Sequence, residues 1–201
     1  VTAAITIDKT AIEYGDPITI AGTFTIKDKS PLANIAVRIE GKSAGDTNWR
    51  LLTTATTDAS GKIAKPLLIG KATTIRAYSE GTWERGEGTS NEVAITMSRL
   101  LFVTAPSSVK KNETFTVTGS IRPRTAGTFI QFEKLVAGKW QPFGSVITTD
   151  PQGAFTFPVA GQVKGVLTLR VSAAAQARWP ITTSKPFSIL IRGVGSSELV
   201  K

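Results

Sequence analysis

The chain has 201 residues, with 24 lysines and arginines against 15 acidic residues, and it contains neither cysteine nor histidine. The missing cysteines exclude disulfide frameworks, thiolate metal sites and cysteine nucleophiles. The missing histidines remove the usual general base near neutral pH and the commonest metal ligand. Since no apolar run approaches the roughly 20 residues that a spanning helix needs, we expect no transmembrane segment, and we also expect no catalytic, metal or cofactor site.

Short segments that alternate Thr with aliphatic residues recur along the chain, and this alternation is typical of half-buried strands. The first half predicts seven strands, near residues 4–8, 17–25, 34–40, 49–56, 62–69, 73–79 and 91–97. The second half predicts seven more, near residues 100–104, 113–121, 128–134, 140–148, 154–159, 165–173 and 185–191. No segment keeps a helical period, so the predicted fold class is all-β.

The two halves of the chain are copies of one unit. Residues 18–22 (ITIAG) match 115–119 (FTVTG), Trp49 matches Trp140, and the turn at 57–61 matches the turn at 149–153. Further matches follow in the same order, with a separation that stays between 91 and 97 residues. Seven short strands per copy, separated by turn signals, predict two tandem immunoglobulin-like antiparallel β-sandwiches.

The predicted boundaries place the first domain at 1–98, the second at 99–192 and a tail or connector at 193–201. Only two or three residues separate the last strand of one domain from the first strand of the next, so we expect a short linker and a semi-rigid spacer. Strand exchange between copies is an alternative use of the ends, with Val1 to Asp8 or Gly193 to Lys201 as donors.

Four segments of the first copy carry a resemblance to a known family: residues 14–22 (YGDPITIAG), the Trp49 strand, 57–62 (TDASGK) and 75–78 (IRAY). They resemble the bacterial immunoglobulin-like repeats found in tandem on exported surface proteins. The second copy departs by carrying 109–113 (VKKNE) in place of the Tyr-Gly start. The resemblance implies a spacer, stalk or adhesive module at the cell surface, and its turn and core motifs specify a fold rather than a ligand.

The leading interpretation of the acidic residues is a structural role. Asp58 and Asp150 lie in Asp-x-x-Gly turns, where the carboxylate accepts from backbone amides, and too few oxygens accompany either of them for a calcium site. Glu80, Glu84 and Glu87 cluster in one predicted hairpin, which we interpret as a long, solvent-exposed loop. We expect no carboxylate pair of the kind that glycosidases use.

Both copies place a tryptophan beside an arginine in the hairpin before their last strand: Trp83 with Arg85, and Trp179 with Arg178. The first interpretation is that each Trp covers an end of its own sandwich or the domain junction. The alternative is contact with a sugar or a protein, through stacking and cation–π interaction. Trp49 and Trp140, at matching strand positions, are interpreted as core or hairpin-packing residues.

The net charge of +9 belongs entirely to the second copy, since residues 1–98 hold 11 basic and 11 acidic residues and residues 99–201 hold 13 and 4. A field of one sign favours anionic partners such as wall polymers or acidic glycans. Arg122 and Arg124 form a dense basic spot and are a candidate docking patch. No motif of a specific nucleic-acid reader is present.

These features predict a non-enzymatic extracellular structural or adhesive module: a spacer, or a subunit of a cell-surface assembly. Its expected partners are other domains or copies of the same protein, and an anionic partner for the basic second domain. A carbohydrate-binding accessory domain, or a decoration domain of a virion or tail, are the alternatives.

Overall fold

A computed structural model describes residues 1–26, 28–161 and 163–193, so the predicted tail lies outside the described residues except for Gly193. The chain divides between Ser98 and Arg99 into two compact units, called unit 1 and unit 2 below. Every regular element in these ranges is a strand. The described residues include no helix with the length and apolar character needed to cross a membrane.

Unit 1 consists of two sheets. Its strands are β1 Thr2–Ile7, β2 Ala11–Glu13, β3 Pro17–Thr25, β4 Ala36–Ser43, β5 Arg50–Thr56, β6 Lys62–Leu68, β7 Thr73–Ser79, β8 Gly88–Thr89 and β9 Val93–Ser98. The small sheet has the order β1-β3-β6. The large sheet has the order β2-β9-β7-β4-β5, with β8 paired to β7.

Unit 2 repeats this arrangement strand for strand. Its strands are β10 Leu100–Thr104, β11 Ser108–Lys110, β12 Thr114–Arg122, β13 Phe129–Val136, β14 Lys139–Thr148, β15 Ala154–Ala160, β16 Gly165–Ala173, β17 Thr182–Thr183 and β18 Phe187–Arg192. The sheets are β10-β12-β15 and β11-β18-β16-β13-β14, with β17 on β16. The prediction of two immunoglobulin-like sandwiches is confirmed.

Each core lies between the two sheets and follows from the alternation in sequence. Strand β3 buries Ile18, Ile20 and Phe24 and turns its threonines outward. The core of unit 1 is mainly aliphatic, whereas unit 2 packs phenylalanines, with the rings of Phe132 and Phe157 stacked 4.2 Å apart. Burying such a side chain stabilises the fold by about 1.5–3 kcal/mol, so these alternating strands fix which face of each sheet points inward.

The structure adds short strands that the sequence pattern does not predict. After β1 the chain leaves the small sheet, and β2 pairs in parallel with β9, the last strand of its unit. In unit 2, β11 pairs in parallel with β18 in the same way. Three residues are too few to show an alternating pattern, so this switch between sheets is set by tertiary pairing.

The small sheets end on strands that carry a proline. Pro66 lies in the edge strand β6 opposite Thr19, and Pro158 lies in β15 opposite Thr116. Strand β1, on the other edge of its sheet, pairs with β3 over Thr2–Ile7. The N-terminal segment considered as an exchange donor therefore completes the sheet of its own unit, and the proposed C-terminal donor lies outside the described residues apart from Gly193.

Candidate functional site

The two repeated aspartates are used inside their turns. Asp58 Oδ1 accepts from the amides of Ser60 and Lys62 at 2.8 and 3.0 Å, and Asp150 Oδ1 accepts from two amides at 2.9 and 2.8 Å. The turn interpretation of both residues is confirmed, but neither turn closes a hairpin, because each joins strands of different sheets. The described residues contain no cluster of three or more acidic side chains placed to hold a metal ion.

A second repeated motif lies on the outer face of each large sheet. In unit 1, Arg76 donates to Glu40 Oε2 at 2.9 Å, and its guanidinium lies 4.2 Å from the ring centroid of Trp49. Glu40 is buried, so the ion pair satisfies a carboxylate that would otherwise be costly to desolvate.

Unit 2 repeats the motif with the matched residues, although Trp140 lies in β14 and Trp49 lies just before β5. Arg170 Nε lies 2.6 Å from Glu133 Oε2, and the guanidinium lies 4.5 Å from the ring centroid of Trp140. The two matched tryptophans therefore pack on a hairpin rather than in the core, and they hold an arginine in place.

The hairpin between β7 and β8 presents Trp83 to solvent. The residue is 94% exposed, so the interpretation that it covers its own sandwich is wrong. Arg85, in the same turn, is half-buried, and its amide donates to the carbonyl of Thr82. Trp83 is thus a large aromatic side chain on a loop that leaves it almost wholly exposed.

Two of the three glutamates in this hairpin are engaged within unit 1. Glu80 lies 3.4 Å from the guanidinium of Arg38, and Glu87 accepts a 2.9 Å hydrogen bond from the hydroxyl of Tyr78. The hydrogen bond and the negative charge of Glu87 raise the pKa of the Tyr78 phenol. These contacts give the acidic cluster a structural role.

The corresponding hairpin of unit 2, residues 174–181, is held by a buried arginine. Arg99 is 1% exposed; its Nη1 lies 3.4 Å from Thr128 Oγ1, and its Nη2 contacts the carbonyls of Ala173, Ala174 and Pro180. Desolvation lowers the pKa of this guanidinium. Arg99 thus ties the start of β10 to the β12–β13 connection and to the hairpin.

A glutamine completes this junction. Gln176 Oε1 accepts from the hydroxyl of Thr128, and its Nε2 lies 3.3 Å from the carbonyl of Ala126. The hairpin and the 123–128 loop therefore meet at one end of unit 2. A lone arginine and a lone glutamine give no sequence signal of such a contact, so neither residue was predicted.

The four candidate residues of unit 2, named here the arginine surface, lie in or next to these two segments: Arg122 ends β12, Arg124 is in the 123–128 loop, and Arg178 and Trp179 are in the hairpin. Arg124 and Arg178 are exposed, while Arg122 and Trp179 are half-buried. In the described part of the chain none of the three arginines has an ion pair with a carboxylate. The neighbouring acid, Asp150, uses Oδ1 on backbone amides.

No protein-family model matches the chain, and no curated protein matches it. It is similar to the solved D0-D1 domain of intimin, at 17% identity and a TM-score of 0.36, over 92% of this chain and 97% of that one. It is also similar to invasin, a bacterial integrin-binding protein, at 17% identity and a TM-score of 0.46, over 96% of this chain and 40% of that one.

A third solved structure is a tetra-tandem repeat in the extending region of a large adhesion protein. That likeness has 14% identity and a TM-score of 0.42, over 93% of this chain and 49% of the other. The fold assignment rests on the strand order given above.

Proposed function

We propose that the chain is a non-enzymatic extracellular module, a spacer or a subunit of a cell-surface assembly, whose unit 2 binds an anionic partner through the arginine surface. The observation that carries this proposal is the contrast between the two kinds of charged residue. The matched acids of both units are engaged in turns and ion pairs, whereas Arg124 and Arg178 of unit 2 are exposed. Within the described residues neither they nor the half-buried Arg122 pairs with a carboxylate.

The repeated polar contacts support the non-enzymatic part of the proposal. Asp58 and Glu40 have counterparts in Asp150 and Glu133 that make the same contacts. Side chains that do the same structural work in both copies are explained by the stability of the fold. The connection supports the spacer role, because Arg99 alone separates β9 from β10.

The anionic partner that best fits exposed guanidinium groups is a phosphate- or carboxylate-bearing polymer, since Arg forms bidentate contacts with both groups. Poly(glycerol phosphate) and hyaluronate are suitable probes, and dextran is the neutral comparison. We expect saturable binding of the full chain to at least one anionic polymer, and weaker binding as salt is added.

A charge-reversal pair tests the surface itself. The double variant R122E/R124E should bind the polymer roughly tenfold more weakly, equivalent to about 1.4 kcal/mol. The matched control K9E/K62E makes the same change in net charge on exposed lysines of unit 1. Equal loss in both variants would show that only net charge matters and would contradict a localised surface.

A second function is favoured by one observation, the 94% exposure of Trp83. An exposed indole on a hairpin is suited to stacking on the face of a sugar ring. A glycan array probed with the wild-type chain and with Trp83→Ala would test this function. Glycan binding that survives the substitution would remove Trp83 as the contact.

A further inference from the structure

A second feature of unit 2 lies at the end of β13 away from the arginine surface. A cavity of about 340 Å³ opens between the β13–β14 turn and the β15–β16 connection. Apolar side chains line it, and two of them remain largely in solvent, Val163 at 75% and Val166 at 68% exposure, while Leu135 is 39% exposed. Phe143 contributes an aromatic wall.

Two lysines are the charged residues among those that line this cavity. Lys134 and Lys164 contribute to its wall, and the ammonium of Lys134 lies 5.7 Å from the ring centroid of Phe143. No carboxylate is among the lining residues, and within the described residues neither lysine forms an ion pair. The cavity therefore combines an apolar interior with uncompensated positive charge.

At the equivalent end of unit 1, an acidic residue compensates the positive charge of a lysine. There Lys71, in the β6–β7 connection, lies 3.7 Å from Asp46 in the β4–β5 connection. That connection spans residues 44–49, whereas its counterpart in unit 2 is only Ala137 and Gly138, both at positive φ. The shorter turn of unit 2 removes the position that Asp46 occupies.

We propose that this cavity binds the acyl chain of an anionic amphiphile, with Lys134 and Lys164 holding its carboxylate or phosphate. Small-molecule sites are typically apolar cavities of about 300–1,000 Å³ with a few placed polar groups. A volume near the lower limit fits a single chain. The charge at the rim selects an anionic head group, because the compensating acid found in unit 1 has no counterpart here.

The site is separate from the arginine surface. Strand β13 runs between the two, from Phe129 to Val136, and its eight residues span roughly 26 Å at about 3.3 Å per residue. The two proposals can therefore fail independently.

The test uses the full chain with monomeric dodecanoate and dodecyl phosphate, and with vesicles of phosphatidylglycerol or of phosphatidylcholine. Methyl NMR should show saturable shifts at Val163, Val166 and Leu135 with the anionic amphiphiles. The neutral dodecyl maltoside, below its micelle concentration, should bind at least about fivefold more weakly. Binding of the monomers alone identifies a free amphiphile as the source, and binding of phosphatidylglycerol vesicles as well identifies a bilayer lipid.

The variant K134Q/K164Q should weaken dodecanoate binding at least about fivefold, while the charge-matched control K9Q/K62Q, on exposed lysines of unit 1, should leave it unchanged. A further variant, Val166→Ser, alters an exposed side chain, so loss of binding there cannot be attributed to unfolding. Shifts spread over both units, equal binding of the neutral amphiphile, or stronger binding of a leucine-rich acidic peptide would each overturn the proposal. Binding seen only after deletion of residues 194–201 would also overturn it, because the chain's own segment would then be the occupant.

Discussion

Arg170 and Glu133 face each other across strands β16 and β13, and the guanidinium that binds the carboxylate at 2.6 Å also lies over the ring of Trp140. Arg76 and Glu40 do the same in unit 1, next to Trp49. Two copies with different surface charge thus keep one three-residue contact, which identifies it as a structural element of this repeat.

Arg170→Ala should destabilise unit 2 by about 1–3 kcal/mol, because it removes a charge-assisted hydrogen bond and the stacking on Trp140, and leaves Glu133 half-buried without a partner. Urea unfolding of the full chain measures this change. Arg124→Ala, an exposed arginine of the same unit, should change stability by no more than about 0.5 kcal/mol. Equal effects of the two substitutions would show that the contact is not stabilising.

Gly119 should not tolerate a methyl group. A Cβ at this position would lie 2.2 Å from the ring of Phe155 and 2.4 Å from the carbonyl oxygen of Phe102. Gly119→Ala should cost about 1–3 kcal/mol from overpacking, measured as a lower unfolding midpoint. Gly70→Ala adds its methyl to open space, and a comparable loss in that variant would contradict the steric explanation.

Arg99→Met should loosen the hairpin at residues 174–181, because three backbone carbonyls and the Thr128 hydroxyl would lose their donor. We expect a loss of about 2–4 kcal/mol in unit 2 and faster amide hydrogen exchange in the hairpin. Arg178→Met, on the exposed side of the same hairpin, should leave exchange unchanged. Unaltered protection in the Arg99 variant would show that the hairpin is held by other contacts.

Tyr78 should titrate at higher pH than an ordinary tyrosine, whose pKa is about 10, because its hydroxyl donates to the Glu87 carboxylate. The fold favours the protonated phenol, so any stability from this contact is present below the ordinary pKa and is lost as pH rises through the raised one. Spectrophotometric titration of Glu87→Ala should show this pKa falling towards its ordinary value. Glu84→Ala should leave the titration of Tyr78 unchanged, and a fall of similar size there would exclude the hydrogen bond as the cause.

The sequence allowed the fold class and most strands to be predicted, because long alternating segments such as β3 and β12 report directly which face is buried. The aspartate turns were predictable for a similar reason, since local backbone contacts need only a local motif. The exposure of Trp83 was not predictable, because the neighbouring residues in the sequence do not indicate whether the hairpin folds back onto its own sandwich.

The residues that position the arginine surface could not be predicted from the sequence either. Arg99 reaches partners 29 to 81 residues away along the chain, and such contacts depend on the packed unit. The cavity of unit 2 was missed for the same reason. The cavity arises because the β13–β14 turn of unit 2 is shorter than the β4–β5 connection of unit 1. The effect of this difference is visible only when the two units are compared in three dimensions.

Pro66 and Pro158 lie at equivalent places in strands β6 and β15, each at the edge of its small sheet. A proline has no amide hydrogen to offer an incoming strand, so these edges are poor templates for further pairing. Many copies held close together would otherwise risk joining edge to edge into insoluble aggregates. Both units therefore carry the same protection against pairing between copies along the β6 and β15 edges.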